Sequence, residues 1–144
     1  PRDSRTFKTK NGLANFITSD ITYARSLDKF MMMTIRSHDQ YNTTIYGLDD
    51  RYRGIKNGRR VVLMNNNDIV NLGLSKGSMV DLCSEMNSGQ VVSPRWFVVP
   101  YEIPEGNVAT YFPESNILIP LDSVADRSNT PTSKSVPISI TKSS

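Results

Sequence analysis

The sequence predicts a mainly β fold, a sandwich or a barrel, for a chain of 144 residues. Short runs rich in Val, Ile, Leu, Met and aromatic residues recur along it, and Gly, Pro, Asn or Asp stands at nearly every break. Only one stretch has a clear helix pattern. The length is typical of one domain and is enough to bury roughly two-thirds of the surface that the unfolded chain exposes.

Seven short segments carry the strand pattern. The predicted strands are residues 30–34, 60–64, 78–83, 96–101, 108–111, 117–121 and 136–141. The sequence MNSGQ at residues 86–90 is typical of a hairpin turn. Pro104 is placed in a loop, because proline cannot donate a hydrogen bond within a sheet.

The helix pattern occurs in NNNDIVNLGL, residues 65–74. Asn65 or Asn66 can cap the helix, and Asp68 stands in the first turn, where the helix dipole favours an acid. Gly73 is expected to end the helix after two turns at most. The predicted apolar face consists of Ile69, Val70 and Leu72.

The two ends of the chain differ from its centre. Residues 1–20 are predicted to be an N-terminal arm and residues 21–142 the barrel domain, with residues 122–132 forming an ordered polar loop. The chain begins at Pro1 rather than Met, so we interpret it as a piece of a larger protein.

Composition excludes several classes of function. The net charge of +3 is dispersed apart from the basic clusters DRYR at residues 50–53 and NGRR at residues 57–60, which is too little for a nucleic-acid interface. Cys83 is the single cysteine, which excludes an intramolecular disulfide and a cysteine-based zinc site and fits a cytoplasmic location. No run approaches the about 20 apolar residues of a membrane span.

The sequence gives little support for catalysis by this chain. His38 is the only histidine, Cys83 lies in an apolar strand and is expected to be an inert buried thiol, and no G-x-S-x-G motif occurs. The nearby carboxylates lack the spacing of a calcium loop. Glycine-rich phosphate-binding motifs are absent from the sequence as well.

Three polar segments remain as candidate binding surfaces. The first is TIRSHDQYNTTIYG, residues 34–47, whose Arg36, hydroxyls and amides can bind a phosphate or the edge of a base or pterin. The others contain Asn116 before an apolar run, and Ser133 with Lys134 before the last strand. Each also has an ordinary interpretation as a solvated connection, a turn residue or a surface lysine.

In this order, the segments resemble the C-terminal domain of molybdopterin-dependent oxidoreductases, the group that contains formate dehydrogenases, periplasmic nitrate reductases and dimethyl sulfoxide reductase. The stretches that carry the resemblance are RTFKTKNGLANF, TIRSHDQYNTTIYG, VVLMNNNDIVNLGLSKGSMVDL and ESNILIPLDSVADRSNTPTSKSVPISI. They cover nearly the whole chain, and SVADRSNTPTSKS is similar to formate dehydrogenase-like alpha subunits.

The resemblance implies a six-stranded double-psi β-barrel with short helices that binds Mo-bis-MGD, a molybdenum cofactor with two molybdopterin guanine dinucleotides. Other domains of the parent oxidoreductase, which are also its expected partners, would hold the metal ligand and any iron-sulfur cluster, so the isolated domain is expected to be inactive. No catalytic or metal-binding residue is assigned to this chain. The residues that the resemblance assigns to the cofactor are Arg36, Ser37, His38, Gln40, Tyr41, Asn42, Thr43, Tyr111, Asn116, Ser133 and Lys134.

One departure and two alternatives stand beside this assignment. Relatives often carry Gly or His where this chain has Asp39 or Gln40, so the Asp39 carboxylate is expected to turn away from a pyrophosphate or to accept a guanine N–H. A double-psi barrel can also serve as a recognition module, as in the N-terminal domains of some hexameric ATPases. A small decarboxylase on this barrel would need a self-processing Gly-Ser step, and SGQ at residues 88–90 has the reverse order. Without the other domains, the side chains of residues 34–47 are expected to be solvated and mobile.

Overall fold

A computed structural model describes residues 3–20, 28–41 and 47–144 of the chain. Six strands and one α-helix form the described structure, together with a single 3₁₀ turn at Asn116–Leu118. The strands are β1 (Phe30–Ile35), β2 (Val61–Met64), β3 (Met79–Met86), β4 (Gly89–Pro100), β5 (Asn107–Tyr111) and β6 (Val136–Lys142), and the helix is α1 (Asn66–Asn71).

The six strands close into a barrel in the order β1, β5, β2, β4, β3, β6. Two neighbouring pairs are parallel, β1 with β5 and β2 with β4, and the other four pairs are antiparallel. Closure leaves no unpaired sheet edge among these strands. The predicted fold class, mainly β with a closed six-stranded barrel, is therefore confirmed.

The barrel encloses an apolar core. Alternate residues of the strands point inward and are almost fully shielded from solvent, and each contributes about 1.5–3 kcal/mol by its burial. The interior residues are Met32, Val62, Met64, Val80, Leu82, Trp96, Val98, Val108, Val136 and Ile138. The other face of β2 and β5 is also covered, because Ile55 packs there on Val61, Leu63 and Tyr111.

Six of the seven predicted strands are confirmed, and the segment 117–121 is wrong. Its first residues form the 3₁₀ turn, in which Leu118 N donates to Ser115 O at 3.0 Å and Ile119 N to Asn116 O at 3.1 Å. Leu118 and Ile119 are both buried whereas Ile117 is 57% exposed. The backbone donors of Leu118 and Ile119 are used within the segment rather than in a ladder with a neighbouring strand, so this apolar run packs as a turn.

Strand β4 is longer than predicted because it continues through Pro94. The β3–β4 ladder shifts register between Val80 and Leu82, and Arg95 has a φ of 64°. This irregularity accommodates a proline that a regular ladder would exclude. The predicted hairpin turn is confirmed, since Met86 pairs with Gly89 at the end of β3.

Helix α1 begins and ends as predicted, but it buries a smaller face. Asn65 caps it by accepting from Asn67 N at 2.8 Å, and Gly73 follows it with a φ of 65°. Ile69 is buried, as predicted, whereas Val70 and Leu72 are 73% and 39% exposed. The prediction for these two residues is wrong, because the six-residue helix buries Asp68 and Ile69 and leaves the other side toward solvent.

Residues 3–20 are exposed and contain neither a strand nor a helix. The predicted domain boundary at residue 21 falls outside the described residues. In the described part of the chain, no helix has the length and apolar character needed to cross a membrane. Cys83 is a free thiol and is only partly buried, because it lies on the outward face of β3, so the prediction of a buried thiol is wrong.

Candidate functional site

The strand order brings the three predicted binding segments to one end of the barrel. Because β1 and β5 are parallel, their carboxyl ends meet, and Ile35 is paired with Tyr111. Strands β2 and β6 run antiparallel to these strands and therefore begin at that end. We call this the site end of the barrel. Residues 36–41, 59–60, 112–116 and 133–134 lie there, next to the strand termini that they extend.

The segment 36–41, which we call the site loop, divides into exposed and buried side chains. Arg36, His38 and Tyr41 are exposed, whereas Ser37 and Gln40 are each only 8% exposed. Gln40 Nε2 donates to the carbonyl of Phe112 at 2.8 Å, which joins the loop to the end of β5. The expectation of fully solvated side chains is therefore wrong for Ser37 and Gln40. Asn42 and Thr43, also predicted to bind the cofactor, lie outside the described residues.

Arg59 is the reason that these two loop side chains are buried. Its guanidinium donates to Ser37 Oγ at 2.6 Å and to Gln40 Oε1 at 2.8 Å. It also donates to Glu114 Oε1 at 2.5 Å and to the Phe112 carbonyl at 2.9 Å. The guanidinium carbon lies 4.9 Å from the centre of the Tyr111 ring. One buried side chain thus connects the site loop with the segment that follows β5.

Tyr111 is a buried residue of the site end, with 1% of its surface exposed. Its hydroxyl donates to Asp50 Oδ2 at 2.7 Å, and Arg53 NH1 donates to the same oxygen at 2.6 Å. Burial raises the pKa of Asp50, but the hydrogen bonds from Tyr111 and Arg53 outweigh it and hold this pKa below its ordinary value. Burial and the bond to Asp50 raise the pKa of the Tyr111 phenol. Tyr111 is thus placed to support the site from beneath.

Lys134 and Ser133 lie beside the end of β1. Lys134 Nζ donates to the backbone oxygen of Thr34 and lies 3.3 Å from its hydroxyl, and Thr34 N donates to Ser133 O at 2.9 Å. Asn116, in contrast, is exposed at the start of the 3₁₀ turn; its backbone N donates to Pro113 O at 2.9 Å, and its side-chain amide makes no hydrogen bond to another described residue. Ser133 and Lys134, from the segment before β6, therefore flank the strand end at which the site loop begins.

His38 lies on the outer side of the site loop, against the turn at residues 50–53. The centres of the His38 and Tyr52 rings are 4.0 Å apart, and His38 Nε2 lies 3.8 Å from a carboxylate oxygen of Asp39. Within the described ranges, no group of three or more His, Cys, Asp or Glu residues is arranged to hold a metal ion. The described geometry gives His38 aromatic and polar neighbours rather than a nucleophile.

The sequence reasoning missed Arg59, Asp50 and Arg53. All three lie in the clusters DRYR and NGRR, which have the composition of a solvated basic surface. Asp50 also anchors its own turn, because its Oδ1 accepts from Tyr52 N at 3.1 Å and Arg53 N at 3.3 Å. An Asp at the start of a turn predicts local hydrogen bonds of this kind, but the sequence does not predict the bond between Asp50 and Tyr111.

The chemistry of the site end suits a polar anionic ligand. Two carboxylates, Asp50 and Glu114, are each paired with an arginine and so add little negative charge. Arg36 and Lys134 contribute positive charge nearby, with hydroxyl and amide groups from Ser133 and Asn116. The donor set therefore offers many hydrogen bonds and a modest positive charge.

Comparison with known proteins gives a consistent result. The sequence model of the "Molydopterin dinucleotide binding domain" family matches residues 30–137. The chain is also 50% identical over 142 residues to a Mycobacterium tuberculosis protein named as an uncharacterized oxidoreductase, covering 94% of this chain and 18% of that protein. It is 41% identical over 144 residues to Protein YdeP of Escherichia coli, covering 94% of this chain and 19% of that protein. The chain thus spans about a fifth of the length of these relatives.

Proposed function

Because the chain belongs to the molydopterin dinucleotide binding domain family, we propose that the site end of its barrel binds the molybdopterin guanine dinucleotides of a Mo-bis-MGD cofactor. The observation that carries this proposal is the convergence of three segments, far apart in sequence, on one end of the barrel. A large polar anion needs many convergent donors. The described groups fit such a ligand, since the carboxylates Asp50 and Glu114 are neutralised by arginines.

The predicted binding residues divide into two roles in this proposal. The exposed residues Arg36, His38, Tyr41, Asn116 and Lys134 contact the cofactor, the cations through its phosphates and Asn116 through the edge of a pterin ring. Partly buried Ser133 adds a hydroxyl beside Lys134. The assignments of Asn42 and Thr43 remain predictions from the resemblance.

The buried residues Ser37, Gln40 and Tyr111 act differently, because their polar groups already have partners within the chain. They fix the walls of the site and exclude water from behind it. The molybdenum centre supplies the redox chemistry when the cofactor is bound, while this chain supplies binding and orientation.

The parent protein is proposed to be a cytoplasmic molybdenum oxidoreductase of the formate dehydrogenase-like type. Support comes from the resemblance of SVADRSNTPTSKS and from relatives that are named oxidoreductases and are about five times as long as the matched region. Its remaining domains would provide the metal ligand, any iron-sulfur cluster and the substrate funnel. We further propose that the isolated domain, residues 21–142 with its arm at 1–20, does not turn over substrate.

Cofactor retention in the full-length protein tests the site. Arg36→Ala and Lys134→Ala are each expected to reduce bound molybdenum and pterin by roughly tenfold, since a hydrogen bond to a charged group contributes about 1.5–3 kcal/mol. Metal is measured by elemental analysis and pterin by fluorescence after oxidative release. Lys142→Ala is the control, because Lys142 is an exposed lysine at the opposite end of β6.

Unchanged metal and pterin content in both site variants would contradict this location of the site. A protein purified with no pterin at all, under conditions in which related enzymes load it, would instead favour the recognition module. Thermal unfolding of each variant identifies any loss caused by instability, which matters for Lys134 because its ammonium group also binds the end of β1.

A further inference from the structure

Arg59 occupies a position that the function proposed above does not use directly. Only 5% of its surface is exposed, and its guanidinium faces two chain segments, the site loop and residues 111–114. Its Nε and NH2 donate to the two carboxylate oxygens of Glu114, at 2.5 and 3.3 Å. NH1 donates to Ser37 Oγ of the site loop, and NH2 also donates to Gln40 Oε1 and to the Phe112 carbonyl. A planar fork of five N–H groups can serve this many acceptors at once, whereas a lysine ammonium cannot.

The charge of Arg59 is satisfied inside the protein. Glu114 forms a two-oxygen pair with it, and the Tyr111 ring covers one face of the guanidinium. An arginine held in this way offers little to an incoming phosphate. Its effect on a ligand must therefore pass through the groups that it holds in place.

The site loop depends on Arg59 for its shape. The described loop has no strand or helix; within it, Gln40 N donates to Ser37 O at 3.2 Å and Ser37 N to Gln40 Oε1 at 3.3 Å. Its ties to other segments include Gln40 Nε2 to the Phe112 carbonyl at 2.8 Å and Arg53 NH1 to Arg36 O at 3.4 Å. Arg59 binds the same Gln40 oxygen and the Ser37 hydroxyl. Both loop contacts would lose their fixed donor if the guanidinium were removed.

We infer that Arg59 is a positioning residue, which fixes the site loop against the segment 112–114 so that the donors on both are arranged before the cofactor arrives. This inference rests on the proposed function, because it assigns Arg59 to the same site. Preorganisation of this kind lowers the cost of ordering a loop when a ligand binds, and so slows ligand release.

The neighbouring Arg60 provides a matched control. It too binds through its guanidinium, donating to Ser93 Oγ at 3.0 Å and Pro94 O at 2.6 Å, and it lies 4.9 Å from the centre of the Trp96 ring. These partners belong to β4 rather than to the site loop. Arg60→Lys therefore disturbs the adjacent arginine, whose guanidinium makes two hydrogen bonds rather than five and makes both of them away from the site loop.

Amide hydrogen exchange of this chain is the first measurement. Arg59→Lys is expected to accelerate exchange in residues 36–41 and 112–116 on the order of tenfold, while the amides of β3 and β6 keep their protection. Arg60→Lys is expected to leave the site loop unchanged. Equal acceleration of the loop in both variants, or opening of the strands to the same extent as the loop in Arg59→Lys, would overturn the inference.

Cofactor release from the full-length protein is the second measurement. The molybdenum and pterin of Arg59→Lys are expected to dissociate on the order of tenfold faster than those of Arg60→Lys at the same degree of folding. Equal release rates overturn the inference, and the proposed function still stands if Arg36→Ala and Lys134→Ala lose the cofactor. Full cofactor retention in all of these variants would contradict both the positioning role of Arg59 and the proposed function.

Glu114→Gln keeps the inference testable if Arg59→Lys does not fold. Glutamine preserves one acceptor for Arg59 but removes the paired charge, so the site loop is expected to loosen in the same place by a smaller factor. No acceleration in residues 36–41 of this variant counts against a positioning role for Arg59.

Discussion

At the scale of single residues, the site end is organised by polar contacts beneath its surface. Asp50 is 2% exposed and receives hydrogen bonds from Tyr111 and Arg53, and Arg59 is 5% exposed and donates to four residues. A buried donor or acceptor that loses its partner costs more than the bond contributes. These residues therefore determine where the exposed donors of the site stand, although the solvent scarcely reaches them.

The Tyr111→Phe variant tests this support. Loss of the hydroxyl leaves the buried Asp50 with one donor fewer, and we expect a decrease of about 1–3 kcal/mol in the free energy of unfolding near neutral pH. The bond lowers the pKa of Asp50, so its stabilisation is present above the ordinary value of 3.8 and is lost as the pH falls below it. Urea unfolding between pH 2 and pH 7 measures this, with the wild-type and variant curves converging in acid.

In alkali, the stability that this hydrogen bond provides is lost as the pH rises, whereas in acid it is lost as the pH falls. The raised pKa of the Tyr111 phenol means that its stabilisation is complete below its ordinary value of 10.0 and is lost as the pH rises beyond it. The variant lacks this phenol and should lose less stability there. A difference between the two proteins that stays constant from acid to alkali would contradict the assigned hydrogen bond.

The exposed residues of the site could be predicted from the sequence, whereas two buried residues that support them could not. Arg36, Asn116 and Lys134 could be proposed because their segments resemble known ones. Arg59 and Asp50 could not, because their decisive partners lie 19 to 61 residues away along the chain. Which arginine of NGRR is buried depends on the direction in which the chain enters β2, and the composition of the segment does not predict this direction.

At the scale of elements, helix α1 shows how few contacts hold a short helix to a barrel. Ile69 is 3% exposed and belongs to the core, and Leu74 packs against it after Gly73 reverses the chain. Leu74 N donates to Ile69 O at 2.9 Å, which closes the end of the helix. Asp68, the other buried residue of the helix, accepts from Gly106 N at 2.8 Å and so ties the helix to the segment that precedes β5.

Ile69→Ala is expected to reduce the free energy of unfolding by about 2–5 kcal/mol, because it removes a fully buried side chain and leaves a cavity. Leu72→Ala is the matched control and should cost less than about 1 kcal/mol, since Leu72 is 39% exposed. Chemical denaturation of both variants provides the measurement. Similar losses in the two would mean that the helix presents a different face to the barrel.

Most strands could be placed from the sequence, and the exceptions have physical causes. The run 117–121 has the composition of a strand, but Pro113 and Pro120 flank the segment that folds into the turn Asn116–Leu118. Conversely, Pro94 led the sequence analysis to omit the first half of β4. The register shift and the positive φ of Arg95 accommodate this proline within the strand. Tertiary packing decided both cases against local preference.

At the scale of the whole molecule, the barrel and the N-terminal arm behave as separate parts in the proposed domain division. Residues 3–20 are exposed, and they include large apolar side chains such as Phe16 and Ile17 at 106% and 87% exposure. No described strand pairs with them. The core of the barrel is therefore built without these residues.

Deletion of residues 1–20 is expected to change the thermal midpoint of this chain by less than about 2 °C, since it removes little buried surface. Deletion of residues 136–144 is the comparison, because it removes β6 and opens the barrel between β1 and β3. Calorimetry or circular dichroism distinguishes the two. A loss of cooperative unfolding in the first variant would contradict the proposed arm.

The position of β1 between β5 and β6 has a consequence for how this protein is made. Phe30 pairs with Ile138 and Met31 with Asn107, so both neighbours of the first strand are synthesised last. Contacts so distant in sequence fold slowly, typically in milliseconds to seconds. While the ribosome is still at work, β1 waits with both edges open, and Thr34 lacks Lys134. The surface that we propose as the cofactor site can therefore form only after β6 has been translated, and cofactor binding to it is expected to follow that step.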